Sequence, residues 1–252
     1  MYLFILVPIL MLTQACSTIS TANIEKSQLR MQLGLSQLQR QNYALALKEF
    51  LAAEELNPKD PFIQNNLGLV YFLRERYSES IQHFQNACDL DDKYTDAKNN
   101  LARVYIEIRQ FDKARKLIQT VLSDLTYHNS AKAYANLGLL EFNDQNYPAA
   151  LKNFKQVLLT QREDCTSNVF LGRSYLELKQ YKLSNDQLEK AAELCKQIKS
   201  DEGLYYYAIS LYRSGEKKDA VLKLKELRSF YPQGKFHDQA KKMIDLIEKG
   251  NI

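Results

Sequence analysis

The sequence predicts an all-α protein, a right-handed superhelical solenoid of six helical hairpins closed by a C-terminal capping helix. Three observations point there. Small residues preceded by Leu or Tyr recur at Gly34, Gly68, Ala102, Gly138, Gly172 and Ala208, separated by 34, 34, 36, 34 and 36 residues. A fixed period of that length marks stacked supersecondary units. The 252 residues include only eight Gly and five Pro, with no Asn-Gly, Asp-Gly or Gly-Gly pair, so the tight hairpin turns of a β-sandwich or barrel are not encoded. Within a period the apolar residues keep helical spacing, as Leu67, Gly68 and Tyr71 do. The 34 basic and 30 acidic residues are interspersed without a run of five like charges, which leaves no electrostatic footprint for nucleic acid.

Residues 1–15 carry no charged side chain, and Tyr2 to Leu12 is an apolar run interrupted only by Pro8. It is too short to cross a bilayer, which takes about 20 residues, and suits the apolar region of a signal peptide. Leu12-Thr13-Gln14-Ala15-Cys16-Ser17 follows, and it resembles a lipobox. In bacterial lipoproteins such a cysteine is acylated and becomes the first residue after cleavage, because two or three acyl chains anchor stably where one binds marginally. Cys16 is therefore the expected lipid-attachment residue, and residues 16–26 the tether. Two features depart from the pattern: no Lys or Arg precedes the apolar run, and Thr13 stands where lipoboxes usually have Leu. An ordinary signal peptide with an incidental cysteine is the alternative.

The six copies are expected at residues 27–60, 61–94, 95–128, 131–164, 165–198 and 201–234. Twelve residues after each small position comes a second one, at Ala46, Ser80, Ala114, Ala150, Ser184 and Ala220. Four further on stands a bulky residue, at Phe50, Phe84, Ile118, Phe154, Leu188 and Leu224. An aromatic precedes the second small position by three in five copies (Tyr43, Tyr77, Phe111, Tyr147 and Tyr181), with Lys217 in the sixth, and Pro58 and Pro232 close the first and last copies. These positions resemble the tetratricopeptide repeat. Small residues are expected where two antiparallel helices approach closest, and the aromatic and Phe positions between neighbouring copies. One hairpin cannot bury its apolar face alone, so stability comes from stacking. The two-residue excess at 126–130, and another near Lys199-Ser200, read as loop insertions. Residues 235–252, with Phe236, Ala240, Met243, Ile244 and Ile247 at spacings of three and four, read as the capping helix.

No catalytic constellation, metal site or cofactor motif stands out. His83, His128 and His237 fall in different units without a His or Cys at ligand spacing, and there is no nucleophile elbow, phosphate loop or zinc-protease signature. The pairs Glu54-Glu55 and Asp91-Asp92 read as solvated charge near helix ends. Of the other cysteines, Cys165 opens the first helix of the fifth copy and Cys195 lies near the end of its second, so antiparallel packing brings them to one end of the hairpin. A disulfide there suits an oxidising compartment. Cys88, beside Ala87, reads as a small buried residue.

Function is expected in the groove lined by the first helices. In the first two copies its positions are Met31, Leu35, Leu38, Phe62, Leu69 and Phe72, an apolar strip, with Gln28 and Asn65. Further along they become polar, through Asp96, Asn99 and Arg103. An apolar strip of this extent marks an interaction site. Two alternatives stand beside it: residues 17–26 fold over the strip, or Asn66, Asn99 and Arg103 form a partial clamp for a C-terminal carboxylate.

A lipobox followed by six such repeats and a cap resembles the pilotin lipoproteins of type IV pilus biogenesis, the PilF/PilW family. The stretches Met31 to Leu35 and Leu38 to Asn42, the extra residues ahead of Ala131 to Gly138, and Leu224 to Pro232 with Leu227 and Tyr231 carry the resemblance. It implies an outer-membrane lipoprotein on the periplasmic face that binds secretin subunits and promotes their assembly, with no small-molecule substrate. A generic outer-membrane adaptor of β-barrel assembly or cell-wall machinery is the rival reading.

Overall fold

The computed structural model describes residues 20–250. Thirteen helices and no strand occur among them, arranged as successive antiparallel hairpins. They are α1 (Thr21–Gln39) with α2 (Tyr43–Leu56), α3 (Pro61–Leu73) with α4 (Tyr77–Leu90), α5 (Thr95–Glu107) with α6 (Phe111–Ser123), α7 (Ser130–Asn143) with α8 (Tyr147–Thr160), α9 (Cys165–Glu177) with α10 (Tyr181–Gln197), and α11 (Glu202–Arg213) with α12 (Lys217–Phe230), followed by α13 (His237–Glu248). The expected signal peptide and Cys16 lie outside the described residues. Helix α1 begins at Thr21, capped by the Ser20 hydroxyl, so residues 21–26 extend the first helix and neither form a loose tether nor fold over the groove.

The repeat positions do the packing expected of them. Ala46, Ser80, Ala114, Ala150, Ser184 and Ala220 are all wholly buried, as are Phe50, Phe84, Ile118, Phe154, Leu188 and Leu224 to within 1%. The reason for glycine is visible at Gly68, where a Cβ would lie 2.7 Å from Phe84 Cδ1, closer than carbon atoms pack. Copies three and six carry Ala102 and Ala208 at this position, opposite the slimmer Ile118 and Leu224. Where serine replaces alanine at the second small position, its hydroxyl donates to the facing glycine carbonyl: Ser80 to Gly68 at 2.8 Å and Ser184 to Gly172 at 3.0 Å. The aromatics that open the second helices are half-buried; Tyr77 meets Phe72 and Tyr147 meets Phe142, with ring centroids 6.0 and 5.4 Å apart, and Tyr77 and Phe111 also pack on the core shared with the following copies.

Each hairpin turns through the same device. Gln41, Glu75, Arg109, Gln145 and Lys179 have φ between 57° and 62°, and Gly215 has φ 94°. The flanking amides reach back over the helix end, as Asn42 N–H does to Gln37 O at 2.9 Å and Gln41 N–H to Leu38 O at 2.9 Å, the paired pattern that closes a helix through a left-handed residue. Of the two expected insertions, only the first is a loop, residues 124–129. The second lengthens α10 to 17 residues where α8 has 14.

The two ends of the solenoid differ. At the C-terminus α13 lays Ala240 and Ile244 onto α12 and α11, and Phe236 stacks on Tyr205 at 4.4 Å while its N–H donates to the buried Asp201 at 2.7 Å. At the N-terminus Leu29 and Leu33 are 58% and 43% exposed, whereas their equivalents Ile63 and Leu67 are fully buried under the preceding copy.

Candidate functional site

The first helices lie side by side, α1 beside α3, α3 beside α5, α5 beside α7, α7 beside α9 and α9 beside α11, and form the face where a partner segment is expected. Among the strip residues, Phe62 alone is strongly exposed, at 52%, and it leans on Tyr94 with ring centroids 5.0 Å apart. Met31, Leu35 and Leu38 are half-buried against the core of the first two copies, and Leu69 and Phe72 against the next. The strip is thus largely the rim of the core. Close packing between adjacent first helices, which sequence spacing does not report, covers it.

The expected clamp does not assemble. Asn99 is buried and accepts from Asn136 Nδ2 at 3.0 Å, Arg103 pairs with Glu107 at 2.8 Å, and Asn66 donates to Phe62 O. Asn99 belongs to a seam instead. The fifth residue of one copy meets the sixth of the next: Asn100 Nδ2 donates to Asn65 Oδ1 at 2.9 Å, and Asn136 Nδ2 also donates to Asn99 O at 3.1 Å. Buried amides that satisfy one another fix the register between units.

In the fifth and sixth copies the sixth position becomes Phe170 and Tyr206, and the seam becomes an aromatic enclosure around one cation. The Arg173 guanidinium lies 4.6, 4.5 and 4.0 Å from the ring centroids of Phe142, Phe170 and Tyr206. Its ion-pair partner is Glu202, at 3.8 Å. Burial pulls the Arg173 pKa below its ordinary value, against the opposing pull of Tyr206 and Glu202. Three rings from three consecutive first helices thereby share one charge. Sequence spacing does not show the convergence of these rings on Arg173.

The loop 124–129 is fastened to α5. Thr95 Oγ1 donates to Asp124 at 2.7 Å and Tyr127 Oη to Asp96 at 2.8 Å. Hydrogen bonds from Thr126 and Thr95 hold the Asp124 carboxyl below the usual range, and burial together with Asp96 drives the Tyr127 phenol up. Glu54, expected in solvent, accepts from Gln64 Nε2 at 2.8 Å, and Gln64 Oε1 in turn meets His83 Nδ1 at 2.8 Å. His83 also stacks on Tyr71.

Cys165 and Cys195 are joined by a disulfide, with Cα atoms 5.0 Å apart, tying the start of α9 to the last turn of α10. The Cys88 thiol is pushed up to about 11 by burial, the opposite of what a reactive thiol needs. Among the described residues no group of three His, Cys, Asp or Glu side chains could hold a metal, and no helix is long and apolar enough to cross a membrane.

This fold and these repeat positions define the class. Tetratricopeptide-repeat family models match residues 31–95, 71–137 and 202–234, and the chain is built of tetratricopeptide repeats. It is similar in structure to PilW, a widely conserved type IV pilus biogenesis factor, with TM-score 0.75 and 16% identity over 84% of this chain and 97% of that one. It is likewise similar to Pseudomonas aeruginosa PilF, with TM-score 0.69 and 17% identity over 88% of this chain and 99% of that one. A third similar structure is YrrB, a repeat protein with an unusual peptide-binding site, with TM-score 0.52 and 15% identity over 77% of this chain and 97% of that one. At these identities the likeness establishes a shared fold. No curated protein matches the chain in sequence.

Proposed function

We propose that the chain is a pilotin-type lipoprotein, anchored through Cys16 to the periplasmic face of the outer membrane, that binds secretin subunits and promotes their assembly for a type IV pilus. The observation that supports this reading is the likeness in fold to PilW and PilF, which spans 97% and 99% of those chains and 84% and 88% of this one. The lipobox-like segment ahead of α1 supports the membrane location. The mechanism is binding: a solenoid presents a long rigid face, and its interactions come from side chains placed between the core positions.

Crosslinking the native protein in membranes, followed by affinity purification and mass spectrometry, tests the reading. A secretin as the dominant partner supports it, and recovery of barrel-assembly or cell-wall proteins instead hands the function to the rival adaptor. Phe62→Glu is the groove variant of choice, because Phe62 is the strip residue that solvent reaches. Partner binding should weaken at least about tenfold, as for an aromatic anchor at an interface, with an unchanged unfolding midpoint. Undiminished binding removes the N-terminal groove from the mechanism.

A further inference from the structure

The two edges of the solenoid are chemically unlike. On one edge lie the hairpin turns between first and second helices, where Leu73 is exposed and Leu45 and Leu183 follow one turn into second helices. The other edge carries the connections between copies and, because α1 starts there, also the point where residues 16–19 join the fold. On this edge nearly every copy ends its second helix, or opens the connection after it, with an exposed apolar side chain: Leu90 (41%), Leu125 (97%), Leu159 (68%), Ile198 (66%) and Phe230 (59%). Sequence periodicity does not reveal the row, because its members occupy slightly different places in their copies.

The charges of this edge are mixed, with part of the acidic set tied down. Several of its acidic groups are engaged with the protein: Asp60 caps α3, Asp164 caps α9, Asp124 accepts from Thr95 and Thr126, and Asp201 accepts from Phe236 N–H, while Asp92 and Glu163 stand exposed in the same connections. The connections also hold Lys59, Lys93, Arg162 and Lys199, for which no ion pair occurs among the described residues. Apolar tips interleaved with unpaired cations are the composition of a surface that rests in the headgroup region of a bilayer.

We infer that this edge is a membrane-contact surface, laid against the bilayer that holds the lipidated Cys16. The inference rests on the lipid-anchor reading. Tether length favours a bilayer over a protein partner: the four residues 16–19 reach at most roughly 14 Å, so an anchor at Cys16 brings the copy-one end of this edge, and not the opposite edge, to the lipid, from where the row runs on through the later copies.

The chain contains no tryptophan, so a single introduced indole reports on its own position. The full-length lipidated protein carrying Leu125→Trp is placed on phosphatidylethanolamine/phosphatidylglycerol vesicles that include lipids brominated on the acyl chain, with Leu73→Trp on the opposite edge as control. Both sites are exposed, so neither substitution disturbs the core. The Leu125→Trp protein should lose most of its emission and shift to the blue, the Leu73→Trp protein should be unaffected, and Lys93→Glu with Lys199→Glu should relieve the quenching. Vesicle flotation with unquenched Leu125→Trp emission overturns edge docking and leaves the anchor standing. Failure to float overturns both.

Discussion

Gly68→Ala sets two known effects against each other inside the second copy. Replacing glycine by alanine in a helix interior ordinarily gains about 1 kcal/mol. Here the new methyl would sit 2.7–2.8 Å from three atoms of the Phe84 ring, and Phe84, 1% exposed, has no space into which to withdraw. Overpacking of this kind costs about 1–3 kcal/mol, so the variant should be less stable by roughly 1 kcal/mol, the difference between the two. The chain suggests the remedy. Copies three and six already pair alanine with an aliphatic residue, Ala102 with Ile118 and Ala208 with Leu224, all buried. Phe84→Ile alone leaves a void and should cost about 1–2 kcal/mol, but Gly68→Ala with Phe84→Ile should cost less than the sum, with a coupling of about 1–2 kcal/mol. Urea unfolding of the four proteins, followed by far-UV circular dichroism, reads the cycle. A Gly68→Ala protein more stable by the full helix-propensity gain, or a coupling of zero, refutes the account of the small positions.

Two further outcomes follow from named contacts. Burial lowers the His83 pKa from its ordinary 6.5, so below that pH the unfolded chain takes up the proton more readily than the folded one. The stabilisation is therefore present above pH 6.5 and lost as the pH falls towards the folded value, and His83→Gln should flatten that part of the stability profile; an unchanged profile excludes His83 as its source. The disulfide closes a loop with a sequence separation of 30, worth about 3–4 kcal/mol by chain entropy. Cys165→Ala with Cys195→Ala, or reduction of the native protein, should lower stability by that order and loosen amide protection in α9 and α10, and identical midpoints with and without reductant would contradict it.

The repeat was legible because its chemistry is steric and local. A glycine with a small residue twelve positions along and the bulky residue it faces sixteen along leaves a periodic trace in the letters, and so does the four-residue spacing that seats Ala240 and Ile244 in the cap. The hairpin turns were not, since five of the six left-handed positions are Gln, Glu, Arg, Gln and Lys, residues with no turn signature, held in that conformation by the helix ends around them. How far the apolar strip reaches solvent was hidden for a related reason. Leu69 and Phe72 fall at groove spacing, but how far a neighbouring first helix covers them depends on the rotation between copies. Arg173 shows the same limit from the other side. Its three rings come from residues 142, 170 and 206, on three helices whose mutual angle no spacing rule supplies.

The crosslink in the fifth copy also has a mechanical meaning. A solenoid drawn out by its two termini carries the load through every hairpin in turn. Under such a load an unbridged hairpin can peel open and surrender its whole contour. Here the bridge shunts the load past the chain between residues 165 and 195, withholding roughly 100 Å of extension at about 3.4 Å per residue. Copies on either side can fray in turn while the fifth stays closed, with Arg173 and Phe170 seated on it, so force divides the solenoid into two arms about a hub that does not lengthen.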